Sequence, residues 1–469
     1  MNPSRRDAVA GLLAAALMPS AGVVAQGGLQ GGMQENTRAL TDAYNAAGLD
    51  LFRSFAATPG NIVFSPYSIG TALAMVLAGA RGETEREMAA VLRHRQAGQG
   101  IVQGIIPGIA RGAVPEIADA NARVLAVLNG YDQSNALPLC PWDMHLAGGR
   151  CEMPRSVDER CPPRAGSDEA LCFATPQPLP SAKVAVANAL MLTRKDASVS
   201  ADYAALLKAK FAAELFQGAG LAEINGFVAA KTQGKIERIL DQLDDSAAAV
   251  LLNAVYFKAA WASTFSKHDT REAPFSLSAL QRVSVPMMHK RATIPLVERA
   301  GYRAARLPYV ISAIGMVVVV PNAIDGLAAV GARLDAAELS ALLAALHADE
   351  PKAVSLALPR FKLSFKADLV PPLRAAGMTL AFDPVRADFS GMIGTGARGR
   401  FAIGQIAHRA VIEVQEEGTE AAAATAAMMT LTSAPSNQET FRVDRPFLYY
   451  VVDDTTGAIL FQGRVVDPR

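Results

Sequence analysis

An almost uninterrupted apolar run, AAVLLNAVYFKAAW, occupies residues 248–261 and limits the folds that this chain can adopt. A strand with one face in water alternates apolar and polar residues, whereas a strand covered on both faces is apolar nearly throughout. Valine and aromatic residues, which favour strands, are frequent in the run. The sequence therefore predicts a central strand that other layers of the protein cover on both sides.

Most other predicted strands lie in the second half of the chain, whereas helical spacing dominates the first half. A capping box, Thr84-x-x-Glu87, predicts the start of one helix. Because strands and helices do not alternate as βαβ units, the pattern indicates one α+β domain with large sheets. The predicted strands of the second half are VSVPMM, YRAARLPY, AIGMVVVVPN, VSLALPRFKLSF, RAVIEVQEE, PFLYYVVD and AILFQGRVV.

The amino terminus has the composition of a cleaved export signal. Arg5 and Arg6 precede an apolar stretch, residues 8–18, that is too short to span a bilayer. Small residues before Gln26 provide a cleavage site, so we assign residues 1–25 to the signal and 26–36 to a flexible leader. The arginine pair resembles a twin-arginine signal, although an ordinary secretory signal can also contain two arginines. We expect a periplasmic or extracellular protein that has no membrane segment after signal removal.

All four cysteines lie in one short window rich in proline, at about residues 130–181. The window shows little periodicity, and we interpret it as an inserted surface loop. An even number of clustered cysteines in an exported protein predicts two disulfides, for which three pairings are open. Zinc is the weaker alternative, since no Cys-x-x-Cys pair occurs. The candidates are Cys140, Cys151, Cys161 and Cys172.

Composition and motifs give no support for nucleic-acid binding or for catalysis. The net charge is +1 with no basic stripe, which argues against a nucleic-acid partner. The segment GTGARG at 394–399 matches a nucleotide-binding spacing but lacks the strand before it and the helix after it. With six histidines and no recognisable metal or nucleophile motif, we expect no enzyme activity, no metal and no cofactor.

Eight segments, in order along about 430 residues, together resemble the serpins, a family of serine protease inhibitors. Each segment alone is modest evidence, but their order is specific. They are NIVFSPYSIGTALAMVLAGARGETEREM, KTQGKIERIL, LLNAVYFKAAW, VPMMHK, LPRFKLSFKADL, RADFSGM, HRAVIEVQEEGTEAAAATA and DRPFLYYVVDDTTGAILFQGRVVDP.

The resemblance implies a serpin fold over residues 37–469, with three β-sheets, about nine helices and an exposed reactive-centre loop. It also implies a suicide-substrate mechanism in a monomer. A serine protease cleaves the loop and forms a covalent acyl complex, and the loop then inserts as a new strand into the large sheet. The alternative is a non-inhibitory serpin that acts as a binding or carrier protein. Such members tend to have bulky, charged or proline residues in the hinge, which this chain lacks.

The hinge implied by the resemblance has residues suited to strand insertion. Gly418 allows the backbone to pivot. Side chains alternate faces along a strand, so Thr419, Ala421, Ala423 and Thr425 would face inward, and Glu420 would face water. The alanines alone would equally suit a helix. The full hinge is Glu416, Glu417, Gly418, Thr419, Glu420, Ala421, Ala422, Ala423 and Ala424.

The resemblance also assigns roles to residues outside the loop. A hydrogen-bond network beneath the parting strands, the shutter, would contain Ser65, Ser68, Asn225 and His408. A site where insertion begins, the breach, would contain the Glu416–Arg360 ion pair and Trp261. A satisfied buried polar group or a core tryptophan would be the simpler interpretation of each residue taken alone.

The scissile bond usually lies sixteen residues after the hinge glutamate, which predicts Thr432–Ser433. The loop is a few residues longer than is common, so Met428, Met429 and Leu431 remain neighbouring candidates. Trypsin-like pockets pair a buried Asp with Lys or Arg, and neither residue occurs between Gly418 and Phe441. We therefore expect targets resembling elastase, chymotrypsin or subtilisin.

Overall fold

A computed structural model shows how these segments are arranged. It describes residues 21–94, 113–132, 145–147, 150–152, 173–174, 181–193, 199–243, 248–392, 402–419 and 439–469.

The described residues form nine α-helices, most of them packed around the sheets. The helices are α1 (Ala21–Ser54), α2 (Pro66–Gly79), α3 (Gly82–Val91), α4 (Ala113–Gly130), α5 (Ala201–Phe211), α6 (Leu221–Lys231), α7 (Leu327–Arg333), α8 (Ala336–Ala348) and α9 (Val370–Ala375).

Three large sheets and one small sheet contain the described strands. The central sheet has the order β14-β15-β16-β7-β5-β6, and β15 also pairs directly with β7. Its strands are β5 (Ala182–Leu192), β6 (Glu214–Gln217), β7 (Ala249–Ala260), β14 (Phe361–Asp368), β15 (Ile403–Gln415) and β16 (Gly418–Thr419).

The second sheet has six strands in the order β1-β19-β18-β12-β11-β10, and the third has four in the order β17-β13-β9-β8. The second comprises β1 (Ile62–Phe64), β10 (Leu296–Arg299), β11 (Tyr302–Pro308), β12 (Ile314–Pro321), β18 (Phe447–Asp453) and β19 (Ile459–Val465). The third comprises β8 (Arg271–Ser276), β9 (Arg282–Ile294), β13 (Lys352–Pro359) and β17 (Glu439–Arg442). The three large sheets and nine described helices confirm the expected α+β class.

Strand β7 lies in the middle of the protein, as its apolar sequence predicts. Ten of its twelve residues are buried, and the exceptions Lys258 and Ala260 are half-buried. Helix α2, which is buried along its whole length, covers one face of β7. Ser65 caps this helix by accepting a hydrogen bond from the Ser68 amide, and Pro66 begins it.

The structure differs from three local predictions. Residues 26–36 belong to α1 rather than to a flexible leader. Once the packed part of a helix has nucleated, each further residue adds one hydrogen bond, so the helix extends into a weakly helical sequence. The cysteine window contains a small sheet of β2 (His145–Ala147), β3 (Arg150–Glu152) and β4 (Phe173–Ala174), rather than loop alone.

The third difference concerns the predicted capping box. Helix α3 begins at Gly82, and Thr84 and Glu87 lie inside it. Thr84 Oγ1 instead accepts a hydrogen bond from the amide of Asp388. The Glu87 carboxylate accepts hydrogen bonds from the Thr379 amide and hydroxyl. Both side chains therefore join α3 to a distant loop, which local spacing cannot predict.

No helix in the described ranges is long and apolar enough to cross a membrane. Within the same ranges, no cluster of His, Cys, Asp and Glu is suited to hold a metal ion.

Candidate functional site

The centre of the site is the pair of parallel strands β7 and β15. They pair from Ile403 opposite Ala249 to Val411 opposite Tyr256, with one irregularity between Ile403 and Gln405. Beyond this point the two strands separate, and the chain turns back after Gln415 to form β16 between them. Gly418 pairs with Gln415 on one side and Ala260 on the other. Strand β16 is antiparallel to both neighbours, so the chain after β15 already occupies the end of the gap.

Gly418 is required by the geometry of this turn. Its φ of +150° lies in a region that favours glycine. A Cβ at this position would lie 2.2 Å from the carbonyl oxygen of Ala259. The main chain can therefore reach β7 here only because residue 418 has no side chain.

Thr419, the next residue, points into the protein. Its side chain is buried, and its Oγ1 lies 2.6 Å from the hydroxyl of Tyr309, which is also buried. The Tyr309 ring stacks on Trp261, with 4.4 Å between ring centroids and 10° between planes. The first inserted side chain is thus held by a hydrogen bond against an aromatic wall.

Glu416 is a buried carboxylate with three kinds of hydrogen-bond donor. Its side chain is only 1% exposed, and Oε1 accepts hydrogen bonds from Arg360 and from Thr270 Oγ1, the latter at 2.7 Å. Burial raises the pKa of Glu416, but bonds from Thr270, Arg360 and a backbone amide, with the Arg360 charge, lower it below its usual value. The structure therefore brings together the pair that the resemblance assigns to the breach.

Trp261 joins the end of β7 to the same turn. Its ring Nε1 donates to the Gln415 carbonyl at 3.0 Å, and its amide donates to the Glu417 carbonyl at 3.0 Å. The Glu417 carboxylate forms an ion pair with Lys267 at 2.6 Å. The turn from 415 to 417 is consequently fixed on several sides before β16 begins.

A row of polar side chains crosses the central sheet beneath the β7–β15 pair. Asn188 on β5 lies opposite Asn253 on β7, which lies opposite His408 on β15. Asn253 Nδ2 donates to Asn188 Oδ1 at 2.6 Å and to Ser68 Oγ at 2.7 Å, and Asn253 Oδ1 lies 2.6 Å from His408 Nδ1. Any separation of β7 from β15 must break the Asn253–His408 contact.

His408 is uncharged in this environment. Burial lowers its pKa to about 3. Its Nδ1 therefore donates to the Asn253 oxygen as part of a neutral ring. Within the described residues, His408 Nε2 and Asn188 Nδ2 have no hydrogen-bond partner. The row thus retains unused hydrogen-bonding capacity beside the strands that insertion would separate.

Two of the four predicted shutter residues, Ser68 and His408, belong to this network. Ser65 caps α2 through the Ser68 amide, and the fourth residue is a correction. Asn225 lies on α6, where its amide donates to the Leu240 carbonyl and its Oδ1 accepts from the Ile239 and Leu240 amides. It holds the loop after α6 and does not contact His408. Asn253 and Asn188, which sequence reasoning missed, occupy the network instead. An asparagine inside an otherwise apolar predicted strand was the available signal for both.

The remaining predicted residues lie outside the described part of the chain. They are Glu420, Ala421, Ala422, Ala423 and Ala424 of the hinge, the candidates Met428, Met429, Leu431, Thr432 and Ser433 for the scissile bond, and Cys140, Cys161 and Cys172. Cys151 lies on β3, where the backbone alone is described.

Comparison with known proteins shows the family. The serpin (serine protease inhibitor) family model matches residues 42–138 and 165–468. The chain is a serpin. The unmatched stretch between the two matched segments lies within the cysteine window. An uncharacterised serpin-like protein from Thermococcus kodakarensis is 31% identical to this serpin over 92% of this chain and 86% of the relative.

Other similar proteins include one named as a serine protease inhibitor and one named as a thyroxine-binding globulin. A serine protease inhibitor from Cyanea capillata is 29% identical, with 87% of this serpin and 92% of the relative covered. The crystal structure of human thyroxine-binding globulin superposes with a TM-score of 0.71 at 23% identity, covering 92% of this serpin and 99% of that chain. Likeness at that identity shows a shared fold. The serpin family consists mostly of protease inhibitors but includes non-inhibitory members.

Proposed function

We propose that this serpin inhibits serine proteases by a suicide-substrate mechanism. The observation that carries the proposal is the position of β16. The loop already pairs with β15 and β7 at the end where these strands diverge. Residues 420–438 continue from β16 without a Lys or Arg, so extension of the same strand would introduce no cation into the sheet.

The proposed reaction begins on the loop. The protease serine hydroxyl attacks the carbonyl carbon of Thr432, the bond to the Ser433 nitrogen breaks, and the leaving amine takes up the proton that the serine loses. The loop amino-terminal to the break is then free to move. It extends from Thr419 between β7 and β15, with every second residue, counted from Thr419, facing inward. This insertion moves the acylated protease away from its starting position.

The strands around the gap are suited to receive this segment. A strand antiparallel to both neighbours gains main-chain hydrogen bonds on two sides. The β7–β15 pairing and the Asn253–His408 bond must open in exchange. Insertion therefore replaces one strand pairing by two, which supports a net gain in stability after cleavage.

A gel experiment tests the proposal directly. The serpin is mixed with elastase, chymotrypsin and subtilisin, and we expect a complex that survives boiling in detergent. Cleavage of the loop by a protease that is not trapped should raise the Tm through insertion. A non-inhibitory carrier, the second possibility, would give loop cleavage without a covalent complex and without a rise in Tm.

We propose cleavage most often after Thr432, with Met428, Met429 and Leu431 as neighbouring sites. Amino-terminal sequencing of the fragment released from the complex identifies the bond. Thr432→Arg should shift the preference toward trypsin, since trypsin-like pockets pair a buried Asp with a cation. Tight trypsin inhibition by the unchanged protein would contradict this specificity.

We also propose that the serpin is exported and works outside the cytoplasm as a monomer. The proposal rests on the Arg5-Arg6 and apolar pattern of residues 1–25. Cell fractionation followed by amino-terminal sequencing tests it, and a mature terminus near Gln26 is the expected result.

A further inference from the structure

A cavity of about 420 Å³ lies away from the loop, between α1, α2, α9 and the end of α3. This volume is within the range of small-molecule sites in proteins. None of Thr419, Glu416 and His408 lines the cavity, so it is separate from the site described above.

The walls of the cavity are mainly apolar. Leu51, Ile69, Leu73 and Leu373 line it, and each is less than a tenth exposed. Apolar atoms that face a void lack the van der Waals partners found elsewhere in a packed interior. A hydrocarbon or aromatic group could supply these contacts without leaving a buried polar group unpaired.

The cavity has charge at its opening. Among its lining residues only Asp50 and Arg93 are charged, with side chains 36% and 46% exposed. Arg93 Nε donates to Asp50 Oδ2 at 3.0 Å, and Arg53 Nη1 donates to Asp50 Oδ1 at 3.2 Å. Arg53 does not line the cavity, but it shares the Asp50 carboxylate with Arg93. This group of three residues beside the opening therefore has two positive charges and one negative charge.

The backbone at Arg93 is unusual for such a residue. Its φ is +60°, a left-handed conformation that arginine rarely adopts. This conformation follows the last turn of α3 and coincides with the placement of the guanidinium beside Asp50. The strain of arginine in a backbone conformation suited to glycine or asparagine points to a use for its charge.

We propose that this cavity binds an amphipathic carboxylate. The apolar body of the ligand fills the space between Leu73 and Leu373, and its carboxylate lies at the opening, where it accepts hydrogen bonds from Arg93 and is attracted by the nearby charge of Arg53. The two guanidinium groups favour a negatively charged ligand, and the apolar walls of the cavity favour a hydrocarbon or aromatic body.

Calorimetric titration of the full chain with three probes tests the assignment. Decanoate, decanol and decylammonium have the same tail and differ in charge, and all are used below their aggregation concentrations. We expect saturable binding that weakens in the order decanoate, decanol, decylammonium. Equal binding of the three probes, or no saturable binding of any, would overturn the proposal.

Three variants locate the site. Arg93→Asn keeps a residue that accepts the left-handed backbone, and should weaken decanoate about threefold to tenfold while leaving decanol unchanged. Ala376→Phe adds a ring at an exposed lining position and should weaken both probes. Ala344→Phe is the matched control on the exposed face of α8, away from the lining residues. Unchanged binding to Ala376→Phe would show that the probes bind elsewhere.

Discussion

Thr419 offers the sharpest test of how the loop inserts. Its side chain is 0% exposed before any cleavage, so Thr419→Arg should expel β16 from the sheet, and insertion would then have to bury a guanidinium between β7 and β15. An uncompensated buried charge costs about 3 kcal/mol or more. Because about 1.4 kcal/mol slows a step tenfold, insertion should slow by on the order of 100-fold. The acyl bond would then hydrolyse before the protease is displaced, and the variant would behave as a substrate.

The assay titrates a fixed amount of protease with each serpin and measures residual activity. We expect the number of serpin molecules consumed per protease inhibited to rise strongly for Thr419→Arg. Thr419→Val is the matched control, since it keeps the shape and removes only the bond to Tyr309, at a cost of about 1–3 kcal/mol. An unchanged stoichiometry for Thr419→Arg would refute the inward orientation of this residue during insertion.

The remaining predictions concern pH, the breach and the cysteines. Burial lowers the pKa of His408 to about 3, so its contribution to stability is complete above pH 6.5 and is lost as the pH falls toward 3. His94, with a pKa lowered to about 4 by burial, acts in the same direction. His408→Gln should therefore reduce the slope of unfolding free energy between pH 4.5 and 6.5 in urea titrations by up to one proton, about 1.4 kcal/mol per pH unit, and an unaltered slope would contradict the assignment. Arg360→Met removes a charged donor from Glu416 and should lower the unfolding free energy by about 1–2 kcal/mol, since water already screens the half-exposed arginine. A smaller change than in Lys362→Met, two residues further along the chain, would contradict it. Mass spectrometry of the exported protein should find two disulfides within residues 140–172, and four free thiols would exclude them.

The long apolar segments were the most predictable part of the fold. Residues 248–261 predict a strand covered on both faces, and β7 is buried along most of its length. Such segments are predictable because burial on both faces demands apolar residues regardless of which neighbours provide the cover. The order of the motifs likewise identifies the family, and the family implies the three large sheets.

Polar residues inside the fold were less predictable. Asn225 and Asn253 both lie in segments with apolar neighbours, but only Asn253 faces Ser68 and His408. Thr84 and Glu87 have the spacing of a cap, yet both bond to a loop about 300 residues away in sequence. A polar side chain needs a partner when it is buried, and many different partners can satisfy the same requirement.

Reading the chain alone shows which segments are buried, that no cation occurs between Gly418 and Phe441, and that residue 418 can adopt a backbone conformation open mainly to glycine. The contact of Thr419 with Tyr309, the enclosure of Glu416 by Thr270 and Arg360, and the polar row across β5, β7 and β15 arise only in the folded protein. Hydrophobic burial and backbone preference are properties of each segment. Hydrogen bonds and ion pairs instead depend on distances of a few ångströms between residues far apart in the chain, and these distances exist only once the sheets have assembled.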